Sequence, residues 1–522
     1  MTCTTLLASH DVQRHRTSKR ELDETRAVIE RDLGDARVAG LSADRRFATA
    51  YNAKLDLSTA GNTVTLKGPI ELNDFKAFDA AGQQVVSEPK IAMAVDVSAD
   101  TVAHNAKISS LRVDTPNSGA VQLIVTGGVT DWETKRQMDN IVVHFNGEWD
   151  KLWPIIKPLI PADTRAQVND LVLTGKFERV INVSGSLPAN VPFNEAVKSL
   201  SADGSVVIAT AKWPSNGVDA SNLEIPFTLK DGVLRTVYNK PEGQNLPSPL
   251  TLNTGEVNIS NLSIDLTQKD PRLTTPKDYV LANKIALNNV LAAKAGKYIP
   301  LFSEAKSASG LVSVTIKECT KLPLSSLMTH AGASNDGTAT IVYNVQQVQI
   351  SNPTIDVILA AINEKDFGNS LRGDIRDARV TIANGEVTQD TTLSLGENAG
   401  RAIRFAGGVN MESLKLNDFI VNLPSSLLKQ FSKDLEKYLP AGVDVGLKGL
   451  VTSPKLDLGN SVNKMFGDAA KKAAMDNLLG GNKKKADPNA PAASQPTDKK
   501  GDDPIGNIFD QLNKKKDKKK KN

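Results

Sequence analysis

Apolar and polar residues alternate along most of this chain. Leu55 and Leu57, then Val64 and Leu66, flank an Ala60-Gly61-Asn62 turn, which predicts a β-hairpin. Ile91, Met93, Val95 and Val97 alternate with small or polar residues, as do Val121, Leu123 and Val125. The spacing recurs at Leu223, Ile225, Phe227 and Leu229, at Val257 and Ile259, and at Leu262, Ile264 and Leu266. Later strands are predicted at Val314 and Ile316, Val380 and Ile382, Leu393 and Leu395, and Ile403 and Phe405, with a turn at Asn384-Gly385. Alternation leaves each strand one apolar and one polar face. That excludes a parallel sheet covered on both sides and predicts a large antiparallel one. Such a sheet must curl, close or be covered.

A longer period lies over the short one. Three apolar segments end alike, at the evenly spaced prolines Pro161, Pro300 and Pro440. Gly127-Gly128-Val129 and Gly407-Gly408-Val409 are separated by twice that spacing. Each glycine pair leads through a polar turn to an apolar run, Ile141-Val142-Val143 or Phe419-Ile420-Val421. Fixed-period similarity marks a repeat architecture. Short helices or crossing loops are predicted at 149–160, 290–299 and 427–439, each stopped by the following proline. The expected organisation is an N-terminal helical segment (1–45), β repeats at 46–161, 162–300 and 301–458, a helix at 459–481, and a tail at 482–522.

In the N-terminal segment, Ser18 and Glu21 make a capping-box pattern. In the C-terminal helix, Val462, Phe466, Ala470 and Ala473 share an apolar face suited to covering a sheet edge. The tail is rich in Lys, Asp, Pro, Ala and Ser and has no core-forming pattern. Its twelve lysines and six aspartates carry +6, more than the whole chain's net +4. The body is therefore nearly neutral and lacks a nucleic-acid footprint. The cluster Lys514–Lys521 suits a solvated tail or a contact with an anionic membrane surface.

The chemical inventory is thin. Two cysteines, Cys3 and Cys319, rule out a disulfide framework. Five scattered histidines form no H-E-x-x-H pair, and the chain lacks a G-x-S-x-G elbow, a P-loop and a dinucleotide fingerprint. No catalytic residue, metal site or cofactor is predicted. No run approaches the length of a transmembrane helix. The first ten residues lack the basic and apolar regions of a signal peptide. Either the protein is cytosolic, or its start lies upstream, or another chain anchors it.

The stretch Asp377–Val387, continuing through Leu393-Ser394-Leu395 to Ala406-Gly407-Gly408-Val409 and Phe419–Pro424, resembles the AsmA-like C-terminal region. Gly449-Leu450-Val451-Thr452-Ser453-Pro454-Lys455-Leu456-Asp457 resembles that family's closing strand. The resemblance is best over 337–480. It implies a long, incompletely closed β-barrel or groove of repeats, apolar inside and polar outside. It also implies a place in the bacterial cell envelope, periplasmic or associated with the inner membrane, usually behind a transmembrane anchor. The implied role is moving phospholipid between membranes or supporting outer-membrane assembly.

The resulting expectation is a mainly β protein: a long curled antiparallel sheet of repeats of about 140 residues, with short crossing helices and a helix at each end. Its groove would hold the acyl chains of a phospholipid against Ile91, Met93, Val95, Leu223, Ile225, Phe227, Leu229, Val257, Ile259, Leu262, Ile264, Leu266, Val380, Ile382, Leu393 and Leu395. Each buried methylene contributes about 0.8 kcal/mol. The alternative is a β-rich scaffold or adhesin-like protein whose apolar face is filled by its own side chains.

Overall fold

The computed structural model of the protein describes residues 46–78, 83–160, 165–166, 168–188, 191–236, 250–324, 337–352, 355, 370–395, 401–428 and 442–456. Within them the fold is mainly β, with twenty-five antiparallel strands in one sheet and a few short helices. The expected helices within 1–45 and 459–481, the tail, Pro161 and Pro440 lie outside the described residues. The chain packs as two compact units. Unit 1 falls within Met1–Leu252 and Val257–Thr274, and unit 2 within Asn253–Glu256 and Thr275–Asn522.

In unit 1, β1 (Arg46–Ala53) and β2 (Asp56–Ala60) pair with the two halves of β3 (Thr63–Phe78). A meander follows through β4 (Gln84–Asp100), β5 (Asn105–Asp114), β6 (Val121–Thr130) and β7 (Gln137–Glu148). The predicted hairpin at Gly61 is the β2–β3 connection, with φ +61° at that glycine. Next, β7 leads into helix α1 (Trp149–Ile156) and pairs with β9 (Lys176–Ser186). Strand β10 (Leu200–Trp213) pairs with β9, with β8 (Val172–Thr174) and with β11 (Val218–Lys230). From β11 the sheet runs to β12 (Val233–Thr236) and β13 (Leu250–Leu252), then from β12 to β15 (Ser263–Asp265) and β16 (Arg272–Thr275).

The strands expected at 257–259 and 262–266 are cut to β14 (Gly255–Val257) and β15, three residues each. Local side chains compete with the ladder here. Asn258 Oδ1 accepts from the Ser260 N–H at 3.0 Å, and Asp265 Oδ1 from the Thr267 N–H at 2.9 Å. Asn261 turns the backbone at φ +59°.

Unit 2 is a nine-strand meander: β17 (Tyr279–Ala286), β18 (Ser307–Pro323), β19 (Thr338–Ser351), β20 (Leu371–Ala383), β21 (Glu386–Ser394), β22 (Ala402–Asn410), β23 (Leu416–Leu423), β24 (Val443–Leu450) and β25 (Ser453–Leu456). Asn384-Gly385 makes the β20–β21 turn, both residues at positive φ. Helix α2 (Asn289–Ala295) is capped by Asn288, whose side chain accepts from the Leu291 N–H at 2.9 Å. Pro300 does not stop this helix, which ends at Gly296. Instead Pro300 opens a buried 3₁₀ turn, Pro300–Phe302, where its fixed φ and missing N–H are tolerated. The third crossing element begins as α3 (Ser425–Leu428).

The two Gly-Gly-Val sites share one local geometry. Gly127 has φ +136° and Gly407 φ +141°, and each sits at a register shift in its strand pair. Opposite them, Asn140 and Asp418 take φ +49° and +44°, immediately before Ile141 and Phe419. A Cβ on Gly127 would lie 2.8 Å from Ile141 Cα, and one on Gly407 2.5 Å from Phe419 Cα. Two bulges far apart in the chain, two periods from one another, are thus built alike. The second glycine of the first pair, Gly128, has nothing nearer than 3.7 Å. Gly127→Ala and Gly407→Ala should each destabilise the full chain by about 1–3 kcal/mol in denaturant unfolding. Gly128→Ala should stay within about 0.5 kcal/mol.

Candidate functional site: a half-exposed apolar face

The cross-strand register of unit 1 aligns apolar residues into rows. One row runs Ile70, Met93, Val113, Leu123, Phe145. A second runs Val95, Leu111, Val125, Val143, Ile181. A third continues from Ile141 through Val183, Ala202, Leu229, Leu234 and Ile264 to Leu273. Ile91 pairs with Leu72 on this face, and Phe227, Ile225 and Leu223 pair with Gly204, Val206 and Ile208. Paired residues point to the same side of a sheet, so these rows form one face.

That face is not closed over. Apart from Ile141, which is buried, every residue in the three rows is only partly covered. The opposite face carries ion pairs and polar bonds between neighbouring strands: Lys67–Asp96 at 2.9 Å and Asn182 to Asp203 at 2.8 Å directly across, and Lys90–Glu71 at 2.7 Å on a diagonal.

One end of the apolar face is capped by α1. Leu152 packs with Ala120 and Phe177, against Val121, Phe145, Trp149, Ile155 and Ile156. The Phe145 and Phe177 rings stack at 4.5 Å. Two indoles latch the helix: Trp149 Nε1 donates to the Val207 carbonyl at 2.6 Å, and Trp153 Nε1 to that of Leu171 at 2.7 Å.

Unit 2 treats its apolar face differently. The row Val345, Ile375, Leu393, Ile403 is at most 1% exposed. Leu301, Phe302 and Leu427 are buried with it. Phe302 lies against Tyr343 with ring centroids 6.4 Å apart, and Ser303 Oγ donates to the Val451 carbonyl at 2.7 Å. This is a filled core.

The expected lining residues therefore divide. Ile91, Met93, Val95, Leu223, Ile225, Phe227, Leu229 and Ile264 lie together on the partly covered face of unit 1. Val257, Ile259, Leu262 and Leu266 are half-buried around the short strands β14 and β15. Val380, Ile382, Leu393 and Leu395 are buried in the unit 2 core and line no open surface.

Sequence reasoning missed a charged pair. Arg179 stands opposite Phe145, in the phase of Phe177, Ile181 and Val183. Its Nη2 lies 3.0 Å from Glu224 Oε1, and its Nη1 donates to the Glu178 carbonyl at 2.7 Å. The pair spans β10, which lies between their strands. Ladder pairs join β10 to β9 at Leu200–Asp203 and to β8 at Thr210–Lys212. No such pair is formed across 204–209 among the described residues, and it is there that Trp149 takes the Val207 carbonyl. The signal was available: in Phe177-Glu178-Arg179-Val180-Ile181-Asn182-Val183, the arginine occupies an apolar-phase position.

Other chemistry is sparse. No group of three His, Cys, Asp or Glu side chains is placed to hold a metal among the described residues. Burial pushes the Cys319 thiol up to about 11 and raises Tyr343, whose hydroxyl bonds Thr391 at 2.9 Å. Neither is poised as a nucleophile or base at neutral pH. A shallow hollow of about 380 Å³ on unit 2 is lined by Arg376, Asp377, Arg379, Asp390, Thr392 and Arg404. There Arg404 binds Asp390 at 2.8 and 2.7 Å and holds that carboxyl below its usual range. No helix among the described residues is long and apolar enough to cross a membrane. The chain matches no protein-family model, no curated protein and no solved structure.

The contrast between the units is testable by truncation. Leu393→Ala or Phe405→Ala should cost about 3–5 kcal/mol in denaturant unfolding. Val125→Ala or Ile225→Ala should cost about 1 kcal/mol. Equal costs would mean that the unit 1 face is as tightly filled as the unit 2 core.

Proposed function

We propose that this chain is a non-enzymatic, AsmA-like protein of the bacterial envelope whose unit 1 binds phospholipid acyl chains on its apolar face. Binding there would serve movement of lipid between membranes or outer-membrane assembly. One observation carries the reading: apolar rows that continue over many paired strands yet stay half-exposed. Aliphatic side chains dominate these rows, which suits a flexible hydrocarbon chain better than a rigid, polar ligand. An acyl chain lying along them would remove apolar surface from water at roughly 25 cal/mol per Å². The Lys514–Lys521 cluster would add weak, salt-sensitive attraction to anionic membrane.

The second reading, a β scaffold with a filled core, is favoured for unit 2 by its closed interior. Under our proposal unit 2 is the rigid part of the protein and unit 1 the binding part.

Native mass spectrometry of the purified full chain should find co-purifying phospholipid. Phe227→Asp or Ile225→Asp should strip most of it, because each sets a charge among acyl chains. Thr228→Asp, on the opposite face, should retain it. Repeated absence of lipid from the folded wild type would sink the proposal.

A further inference from the structure

We infer that the outer edge of β1 and β2 is a self-complementary interface, on which a second copy of this chain adds by antiparallel strand pairing about a two-fold axis at Leu55. This does not rest on the acyl-binding reading of unit 1. Its basis is an open strand edge whose residues match their own reversed order in both polarity and charge.

Among the described residues, β1 and β2 pair only with β3. Between them the Lys54 N–H donates to the Pro69 carbonyl at 3.0 Å, so residues 46–60 line β3 as one edge. A strand edge offers its backbone N–H and C=O groups to another chain. Every residue from Asn52 to Ala60 is exposed, Leu55 by 38% and Leu57 by 65%. No proline in this stretch blocks pairing.

The register with β3 assigns the faces. Ala53 pairs with Ile70 and Leu57 with Leu66, on the apolar face, while Asp56 pairs with Lys67 on the polar one. By alternation Lys54 shares the face of Asp56, and Leu55 that of Leu57. With the axis at Leu55, Lys54 meets the partner's Asp56 and Ala53 meets the partner's Leu57. Asn52 then meets the partner's Ser58, and Tyr51 the partner's Thr59. An axis one residue away, at Lys54 or at Asp56, would set two lysines or two aspartates directly opposite, which is destabilising. The charges thus select one register.

This pairing also continues what the sheet already contains. Lys67 binds Asp96 at 2.9 Å, and no ion pair joins Lys54 or Asp56 to another described residue. The partner's Lys54 beside Asp56 would extend the row Asp96, Lys67, Asp56 with its signs still alternating. On the other face, Ala53 ends the row of Ile70, Met93 and Val113, and Leu57 ends that of Leu66, Val97 and Ile108. Pairing joins the two rows across the axis and covers Leu57. One added strand is a small contact, below about 1,200 Å², the class of weak and reversible complexes.

Sedimentation velocity of the full wild-type chain over about 1–100 μM should show a monomer–dimer equilibrium. Lys54→Asp and Asp56→Lys should each weaken the dimer by about tenfold or more, because each sets like charges opposite at two symmetric places. Mixed in equal amounts, the two variants should pair with one another about as tightly as the wild type, since every lysine again meets an aspartate. Circular dichroism checks that each variant is folded. A wild type that stays monomeric throughout would overturn the inference, as would dimers that both variants keep. A mixture no more dimeric than its components would rule out the register. The wild-type measurement decides the matter even if a variant fails to fold.

Discussion

A β-ladder satisfies its backbone only through its neighbours, and its alternation forces every strand to show the same kind of face on the same side. The architecture depends on this constraint. In unit 1 it aligns Ile70, Met93, Val113, Leu123 and Phe145 across five strands. A slip of one residue in any of these pairings would turn a strand's apolar side chains to the polar face. Register is therefore strongly specified, and with it comes an apolar surface that something must cover. Unit 2 covers its own surface with the Pro300–Phe302 turn and α3. Unit 1 covers its surface only in part, with α1 at one end and the helical segment that buries Ala196 and Val197 elsewhere.

The departures from a regular ladder are where the fold gains its particular form. Gly127 and Gly407 let two strands approach closer than any Cβ would permit, each opposite a residue at positive φ. Such bulges increase local twist and bend a strand. The interruption between β9 and β10 has a different origin. There the backbone of β10 is served by an indole from α1 instead of a neighbouring strand. The helix and the interruption are one feature, because the Trp149 N–H has a carbonyl to reach only where β9 does not take it.

Much of the fold is legible in the sequence. Period-two alternation identifies the main strands, and Gly61 and Asn384-Gly385 mark their turns. The first two crossing elements are legible too; they and the short helix at Ser425 begin at nearly equal intervals along the chain, while the helix at Phe193–Ala196 falls outside that series. Alternation says which face is apolar but not what covers it. That is why Ile225 and Leu393, indistinguishable by pattern, end in different surroundings. Coverage depends on elements remote in sequence, such as Leu301 over unit 2. The strands at 257–266 are shorter than their pattern implies because Asn258 and Asp265 divert backbone donors to themselves. Pro300 has the form of a stop signal, yet its helix ends at Gly296 and the proline begins the next turn.

Arg179 shows what a single off-pattern residue can say. On the polar face it would be one more exchangeable surface charge. In the apolar phase it is kept partly in water by the reach of its side chain, and its charge is answered by Glu224 from two strands away. A long cation can rest its methylenes on an apolar surface while its head stays wet. The phase of Arg179 would by itself set the guanidinium beside Phe145, whereas Glu224 belongs by its pairing with Val207 to the face of Thr228. The bond between them therefore draws the head of the arginine toward the polar side, across the stretch where β9 and β10 form no ladder pair, because a charge is cheaper to keep there than over aromatic and aliphatic side chains.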